Sequence, residues 1–105
     1  MIFIETPVFT EEILQYLSDE EYKELQSILI VHPAAGDIIQ GSNGLRKIRW
    51  KMKGMGKRGG LRIIYYWDVS HDTLYMLLPY RKSVQEDIDK ETVKFLANLI
   101  KEYLE

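Results

Sequence analysis

The sequence contains no cysteine, and only two of its 105 residues are histidine. Without cysteine, a disulfide framework, a thiol nucleophile and a thiolate metal site are all excluded. No apolar run reaches the roughly 20 residues of a membrane helix, and the first residues lack the pattern of a signal peptide. We therefore expect a single domain over residues 1–105 that remains in the cytoplasm and has no contact with a membrane.

The sequence also lacks the patterns of a metal site and of a nucleotide-binding fold. No set of His, Asp and Glu residues has ligand spacing, and we interpret His32 and His71 as surface residues. Residues 54–59 match the glycine pattern G-x-G-x-x-G, but they join two predicted strands, so no helix N-terminus would meet a pyrophosphate. We expect no metal and no cofactor, and we interpret 54–59 as a basic hairpin tip.

The formal net charge of −2 conceals a strong segregation of charge along the chain. Residues 1–37 contain one basic and eight acidic side chains, and residues 83–105 contain three basic and six acidic ones. Residues 38–82 contain ten basic side chains against two acidic ones. Such a segment attracts a polyanion whatever the total charge is, because binding of phosphates releases their counterions. The middle of the chain therefore indicates binding of nucleic acid, while the acidic ends could face a basic partner.

A short strand and two helices are predicted at the N-terminus. The strand covers residues 2–5, and Pro7 begins the first helix. Ser18 and Glu21 have the spacing of a capping box, which predicts the start of a second helix that ends before Pro33. The two helices are expected to form a hairpin with acidic residues on its outside.

Three strands and a closing helix are predicted in the rest of the chain. Residues 45–53, 61–67 and 73–80 have β-type patterns and form an antiparallel meander. Asp87 or Asp89 begins an amphipathic helix with an apolar stripe. The layout is an α+β fold of order βααβββα, a small antiparallel sheet with an N-terminal helical hairpin and a C-terminal helix. We expect the helices to pack on one face of this sheet.

The first of these strands carries a basic side chain at every second position. Alternation along a strand places these side chains on one face of the sheet. They are Lys47, Arg49, Lys51 and Lys53. The loop that follows adds Lys57 and Arg58, which fit the gripping of phosphates, although a solvated turn is an equally good interpretation.

Arg62 interrupts the apolar run of the second strand, where an unpaired buried charge would be costly. It is therefore either held by a carboxylate such as Glu5 or Asp37 or used in a cleft, and we favour the cleft. Polar residues that end the third strand would lie nearby if neighbouring strands pair: Tyr80, Arg81 and Lys82. Tyr80 could equally be a packing residue.

Several segments resemble the signature of RelE/HigB-type toxins of type II toxin–antitoxin systems. Their sequences are most similar to the HigB branch of the RelE/ParE superfamily. They are Gly44-Leu45-Arg46-Lys47-Ile48-Arg49, residues 54–60 with Lys57 and Arg58, Leu61-Arg62-Ile63-Ile64-Tyr65-Tyr66, and Tyr80-Arg81-Lys82. The resemblance spans nearly the whole chain. It implies an endoribonuclease that cuts mRNA on the ribosome, an mRNA interferase that inhibits translation. It also implies a cognate antitoxin, usually a helix-turn-helix protein of HigA type.

The resemblance also implies which residues act. It matches Lys47 and Arg49 to the basic pair of the first long strand, Arg62 to the central-strand arginine and Lys82 to the lysine after the last strand. RelE itself has a further catalytic tyrosine near its C-terminus, whereas here the next tyrosine after Lys82 is Tyr103. The catalytic set expected from sequence is Arg62, Lys82, Lys47 and Tyr80, with the identity of acid and base open.

The implied reaction is metal-free attack of a ribose 2′-OH on the adjacent phosphorus, which leaves a 2′,3′-cyclic phosphate and a 5′-OH. Arg62 suits stabilisation of the charged phosphorane, because its planar fork can hold two phosphate oxygens. Lys82 or Lys47 is the expected acid or base, because neighbouring cations make proton release from an ammonium easier. Without histidine the site should be slow by itself, so alignment of the substrate by the ribosome is expected to matter.

Two other interpretations remain open. One is a ParE-like toxin with the same fold, which binds DNA gyrase and has no nuclease activity. The second is a catalytically inactive domain that uses the basic face only to bind RNA or the ribosome. The cluster of cations argues against the first, and nothing in the sequence excludes the second.

Overall fold

The computed structural model describes residues 1–51, 60–82 and 87–105. Its elements follow the predicted order, with one short additional strand. They are β1 (Ile2–Glu5), α1 (Pro7–Tyr16), α2 (Asp19–Val31), β2 (Asp37–Ile38), β3 (Leu45–Trp50), β4 (Leu61–Asp68), β5 (Thr73–Arg81) and α3 (Lys90–Leu104). Within the described ranges, every helix is too short or too polar to cross a membrane.

The described strands form one five-stranded sheet in the order β1-β5-β4-β3-β2. Strands β3, β4 and β5 form the antiparallel meander that the sequence predicts. At one edge β1 pairs with β5 in parallel, and at the other edge the short β2 pairs with β3 in antiparallel fashion. The α+β fold is confirmed, and the sheet carries one parallel pair in addition.

Helices cover both faces of the sheet, so the predicted packing on a single face is wrong. We call the two sides the α1–α2 face and the α3 face. Strand β4 shows the reason, because its adjacent residues Ile63 and Ile64 point to opposite faces and both are fully buried. A strand that is apolar on both sides must be covered on both sides.

Each face has its own apolar cluster. On the α1–α2 face the buried residues include Phe9, Ile13, Leu25, Leu29, Ile48, Ile63, Tyr65, Leu74 and Met76. On the α3 face they include Leu45, Ile64, Tyr75, Leu77, Tyr80, Val93, Leu96, Ala97 and Ile100. The second cluster holds α3 against the strands that carry the predicted catalytic residues.

Side-chain caps begin the helices where the sequence predicts. The capping box of Ser18 and Glu21 is present at the start of α2. Of the two aspartates considered for α3, Asp89 is the cap, and its side chain accepts a hydrogen bond from the Thr92 N–H at 2.7 Å. These bonds satisfy backbone N–H groups that a helix leaves without partners at its start.

A β-bulge in β5 changes which face its side chains occupy. Ile64 pairs with Leu78 while the next residue, Tyr65, pairs with Met76, so Leu77 is an extra residue. Before the bulge Met76 points to the α1–α2 face, and after it Tyr80 points to the α3 face. Strict alternation would have put these two residues on the same face, because they are an even number of positions apart.

The fully buried Tyr65 anchors the segment that leads from α2 into β2. Its hydroxyl donates to the Pro33 carbonyl at 2.7 Å and accepts from the Gly36 N–H at 2.8 Å. A Cβ at Gly36 would lie 2.8 Å from the Tyr65 ring and 3.0 Å from the Lys47 backbone, so this close approach requires glycine. The contact holds β2 against β3 beside Lys47.

We predict that Tyr65→Phe lowers the free energy of unfolding by about 1–3 kcal/mol, because it leaves a buried carbonyl and a buried N–H without their partner. Urea denaturation of the purified protein measures this change. Tyr66→Phe is the matched control, since Tyr66 is half-buried and its hydroxyl makes no hydrogen bond to a described residue. Equal stability of the two variants would contradict the anchoring role.

Candidate functional site

Three polar side chains form a row across the middle strands of the sheet. Arg49 of β3 is the register partner of Arg62 in β4, and Arg62 is the partner of Tyr80 in β5. Tyr80 packs on the α3 face, so all three side chains lie there. Direct partners on neighbouring strands have Cβ atoms about 5 Å apart, so the three side chains are close neighbours. We call these residues the Arg-Arg-Tyr row.

The charge of Arg62 is buried, with only 7% of the residue exposed. Its guanidinium donates to the Leu61 carbonyl in a long hydrogen bond of 3.4 Å. None of the described carboxylates forms an ion pair with it, and Glu5 instead accepts hydrogen bonds from Thr10 and Tyr22. The sequence allowed a salt bridge from Arg62 to a carboxylate such as Glu5 or Asp37, and no such salt bridge is present among the described residues. The guanidinium keeps donors with which to hold an anion.

Tyr80 presents a buried hydroxyl with no hydrogen-bond partner among the described residues. The neighbouring Ile88 N–H donates to Asp87 Oδ1 at 2.9 Å instead. Burial raises the pKa of Tyr80, and the Asp87 charge raises it further, while Arg62 and Arg49 oppose the rise. At neutral pH the phenol is therefore protonated, and it can donate a hydrogen bond or a proton.

Lys47 lies two residues before Arg49 on the same face and is half of an ion pair. Its Nζ is 3.3 Å from Asp87 Oδ1, and the aspartate is mostly exposed. The hydrogen bond from Lys47, followed by that from the Ile88 N–H, lowers the pKa of Asp87. An exposed pair of this kind is weak, so a phosphate can compete for the lysine. In this arrangement Lys47 is better suited to binding a phosphate oxygen than to exchanging a proton.

The two cations at the end of β5 lie on opposite faces of the sheet. The Lys82 N–H donates to the Gly60 carbonyl at 3.1 Å, which extends the pairing of β4 and β5. Alternation therefore places Lys82 on the α3 face with Tyr80. Arg81 is the register partner of Leu61, which belongs to the α1–α2 cluster. Arg81 is thus separated from the row by the sheet.

The remaining residues predicted to bind RNA, on the end of the strand 45–53 and in the basic loop, contribute little that can be described, and the described strand β3 ends at Trp50. Lys51 is exposed just beyond the end of β3. Lys53, Lys57 and Arg58 lie outside the described residues, so their predicted contacts with RNA stay predictions. In the described ranges, no group of three His, Cys, Asp or Glu residues could hold a metal ion.

A groove between α3 and the β2–β3 edge was missed at the level of sequence. It has a volume of about 980 Å³, and both Lys47 and Arg49 line it. Its other wall carries three lysines of α3: Lys90, Lys94 and Lys101. The segment after residue 82 is acidic in total, which concealed these lysines. Helical periodicity could have found them, because residues at these positions point within about 40° of one another.

A second polar cluster lies at the far end of β4. The Ser70 hydroxyl and His71 Nδ1 both contact the Asp68 carboxylate, at 2.7 and 2.8 Å. All three belong to the turn between β4 and β5, whereas Arg62 is near the start of β4. Their mutual contacts close the turn and lower the pKa of Asp68, chiefly through the bond from Ser70. This cluster organises the turn and takes no part in the site.

No protein-family model matches the chain. Its fold is similar to that of a double arginine-to-alanine mutant of E. coli toxin RelE in the free state. The TM-score is 0.59 at 15% sequence identity, over 81% of this chain and 86% of that one. At this identity the likeness shows the fold, and the predicted RelE-like fold is confirmed. The assignment to the HigB branch stays a prediction.

We predict that Tyr80→Phe leaves the free energy of unfolding unchanged or raises it by up to about 1 kcal/mol, because it removes a buried hydroxyl without a described partner. Urea denaturation again provides the measurement. Tyr65→Phe serves as the comparison, since there the same change removes a bonded hydroxyl. A loss of more than about 1 kcal/mol in Tyr80→Phe would mean that the hydroxyl has a structural role.

Proposed function

We propose that the protein is a RelE-type toxin, a ribosome-dependent mRNA endoribonuclease of the HigB branch that inhibits translation. The observation that carries this proposal is the Arg-Arg-Tyr row, in which a buried arginine without a described carboxylate partner adjoins a protonated phenol. Groups of this kind gather where an anion is to be bound. The RelE-like fold supports the same function.

The row suits the transition state of phosphodiester cleavage by a neighbouring 2′-OH. As the oxygen attacks phosphorus, negative charge grows on the two non-bridging oxygens. Arg62 can bind both through its planar fork, and Arg49 adds a second cation beside it. The guanidinium of Arg62 is already desolvated, so its attraction to the developing charge is stronger than it would be in water.

Proton transfer requires one group that takes the 2′-OH proton and one that gives a proton to the leaving 5′-oxygen. We assign the donor role to Tyr80, whose raised pKa keeps it protonated at neutral pH. Lys82 is the proposed acceptor, because it lies on the same face and Lys47 is engaged with Asp87. Lys47 then holds a phosphate oxygen. The reaction leaves a 2′,3′-cyclic phosphate and a 5′-OH without a metal.

Substrate alignment completes the proposal. Lys51, Lys53, Lys57 and Arg58 are proposed to contact RNA phosphates or the ribosome, and Arg81, which lies on the opposite face of the sheet, is proposed to contact the ribosome or RNA away from the cleaved bond. The site contains no histidine among its described residues, so the chemistry depends on a substrate held in line for attack. We propose that the ribosome supplies this alignment in the cytoplasm and that free RNA is a poor substrate.

Arg62→Ala is expected to reduce mRNA cleavage about 100-fold to 1,000-fold, the effect of removing one preorganised donor from a charged transition state. Lys82→Ala is expected to reduce it as well, through loss of the proton acceptor. Mapping of cleaved mRNA 5′ ends in cells that express each variant measures both effects. Lys23→Ala is the control, because this lysine is exposed on α2 across the sheet from the site.

Different outcomes separate the competing functions. If growth stops in cells with intact mRNA, and still stops with both variants, the protein acts as a ParE-like toxin on another target. If ribosomes bind the protein but mRNA stays intact in every case, the domain only binds RNA or the ribosome. Either result would overturn the nuclease proposal.

We also propose a cognate antitoxin of helix-turn-helix, HigA type. A gene adjacent to that of the toxin should encode it, and its co-expression should restore growth and abolish mRNA cleavage. Growth curves with and without the neighbouring gene test this expectation. Undiminished toxicity in the presence of its product would refute the pairing and leave the nuclease proposal intact.

A further inference from the structure

The groove beside α3 is lined unevenly in charge. Its basic residues are Lys47, Arg49, Lys90, Lys94 and Lys101, and its acidic residues are Asp37 and Asp87. Asp87 is already paired with Lys47. None of the three α3 lysines forms an ion pair with a described carboxylate, so within the described ranges the wall that they form is a positive stripe.

The stripe follows from helix geometry. Lys94 is four residues after Lys90 and Lys101 is seven after Lys94, so all three project from one side of α3. At 1.5 Å per residue they span about 16 Å along the axis. Glu91 and Glu102 lie between about 60° and 120° round the helix from these lysines, and neither lines the groove. The helix is therefore basic toward the groove in spite of its acidic neighbours.

The groove is continuous with the Arg-Arg-Tyr row. Lys47 and Arg49 line the groove, and Arg49 is the exposed end of the row whose other members are buried. A polyanion whose scissile phosphate lies at Arg62 would therefore leave the row past Arg49. The next cations that it would meet are those of the groove.

We propose that this groove is a track for single-stranded RNA, which binds the backbone phosphates of nucleotides flanking the cleaved bond. This inference rests on the proposed nuclease function and adds a binding surface to it. No aromatic side chain lines the groove among the described residues, so bases have nothing to stack on. The track therefore contributes affinity and position, with little preference for sequence.

The test measures binding of RNA that cannot be cut. Fluorescence anisotropy would measure binding of 2′-O-methyl RNA oligonucleotides of about nine and about three nucleotides over a range of salt concentrations. The salt dependence counts contacts, because each phosphate contact to a single strand contributes about 0.7 to the slope of log affinity against log salt. The triple variant Lys90→Gln, Lys94→Gln and Lys101→Gln removes the stripe while keeping good helix formers. Far-ultraviolet circular dichroism checks that it is folded.

We expect the slope for the longer RNA to fall by about 2 in the triple variant and its affinity to drop about tenfold or more. Binding of the shorter RNA, which occupies the row alone, should not change. Lys23→Gln is the control for loss of a surface lysine, and it should leave both RNAs unaffected. Lys94→Gln alone should show about a third of the effect on the slope.

An unchanged slope in the triple variant would overturn the proposal, and so would equal weakening of the long and short RNAs. If a poly-glutamate peptide displaces the longer RNA and binds more tightly than that RNA does, the groove serves an acidic protein segment instead. The cleavage assay is separate, because the 2′-O-methyl RNA reports binding without chemistry. If the triple variant keeps the salt slope of the unmodified protein while mRNA is still cleaved, the track alone is refuted. If the slope falls as expected but the protein cleaves no mRNA, the nuclease function alone is refuted.

Discussion

The buried charge of Arg62 is the feature on which the rest of this structure depends, because a guanidinium inside a sheet has to be offset by stabilisation elsewhere. The arginine sits in β4 between Leu61 and Ile63, both fully buried. Apolar clusters on both faces of the sheet supply that stabilisation. The α3 cluster also removes water from around the guanidinium, which strengthens its attraction to an incoming phosphate. The same packing thus makes the charge costly for the free protein and effective in the proposed reaction.

The bulge at Leu77 is the second constraint, because it decides which groups Arg62 meets. One extra residue turns Tyr80 onto the α3 face and leaves Arg81 on the other. Without it, the phenol and the guanidinium would lie on opposite sides of the sheet. A bulge next to a functional site often serves to redirect a side chain in this way. The hydroxyl of Tyr80, which has no hydrogen-bond partner among the described residues, supports the same interpretation, since a purely structural residue at this position could be phenylalanine.

Much of the architecture could be predicted because local rules act on neighbouring residues. The capping box at Ser18 and the alternation around Arg49 each depend on a few adjacent positions, and both are confirmed. Features that depend on distant parts of the chain could not be predicted in this way. The parallel pairing of β1 with β5 joins residues about 70 positions apart in the chain, and the bulge is defined only relative to a partner strand. The prediction that helices cover only one face of the sheet was wrong, although the adjacent apolar residues Ile63 and Ile64 already required cover on both faces.

The distribution of charge along the sequence also differs from its distribution in the folded structure. Summed along the chain, the last segment is acidic and would repel RNA. A helix divides its charges by direction, however, and a phosphate responds to the nearest charges because salt screens those beyond about 10 Å. Lys94 lines the groove while Glu91 and Glu102 do not, so basic side chains outnumber acidic ones along the groove although the protein has a net charge of −2. A nearly neutral protein can therefore bind a polyanion at one face and avoid nonspecific attraction over the rest of its surface.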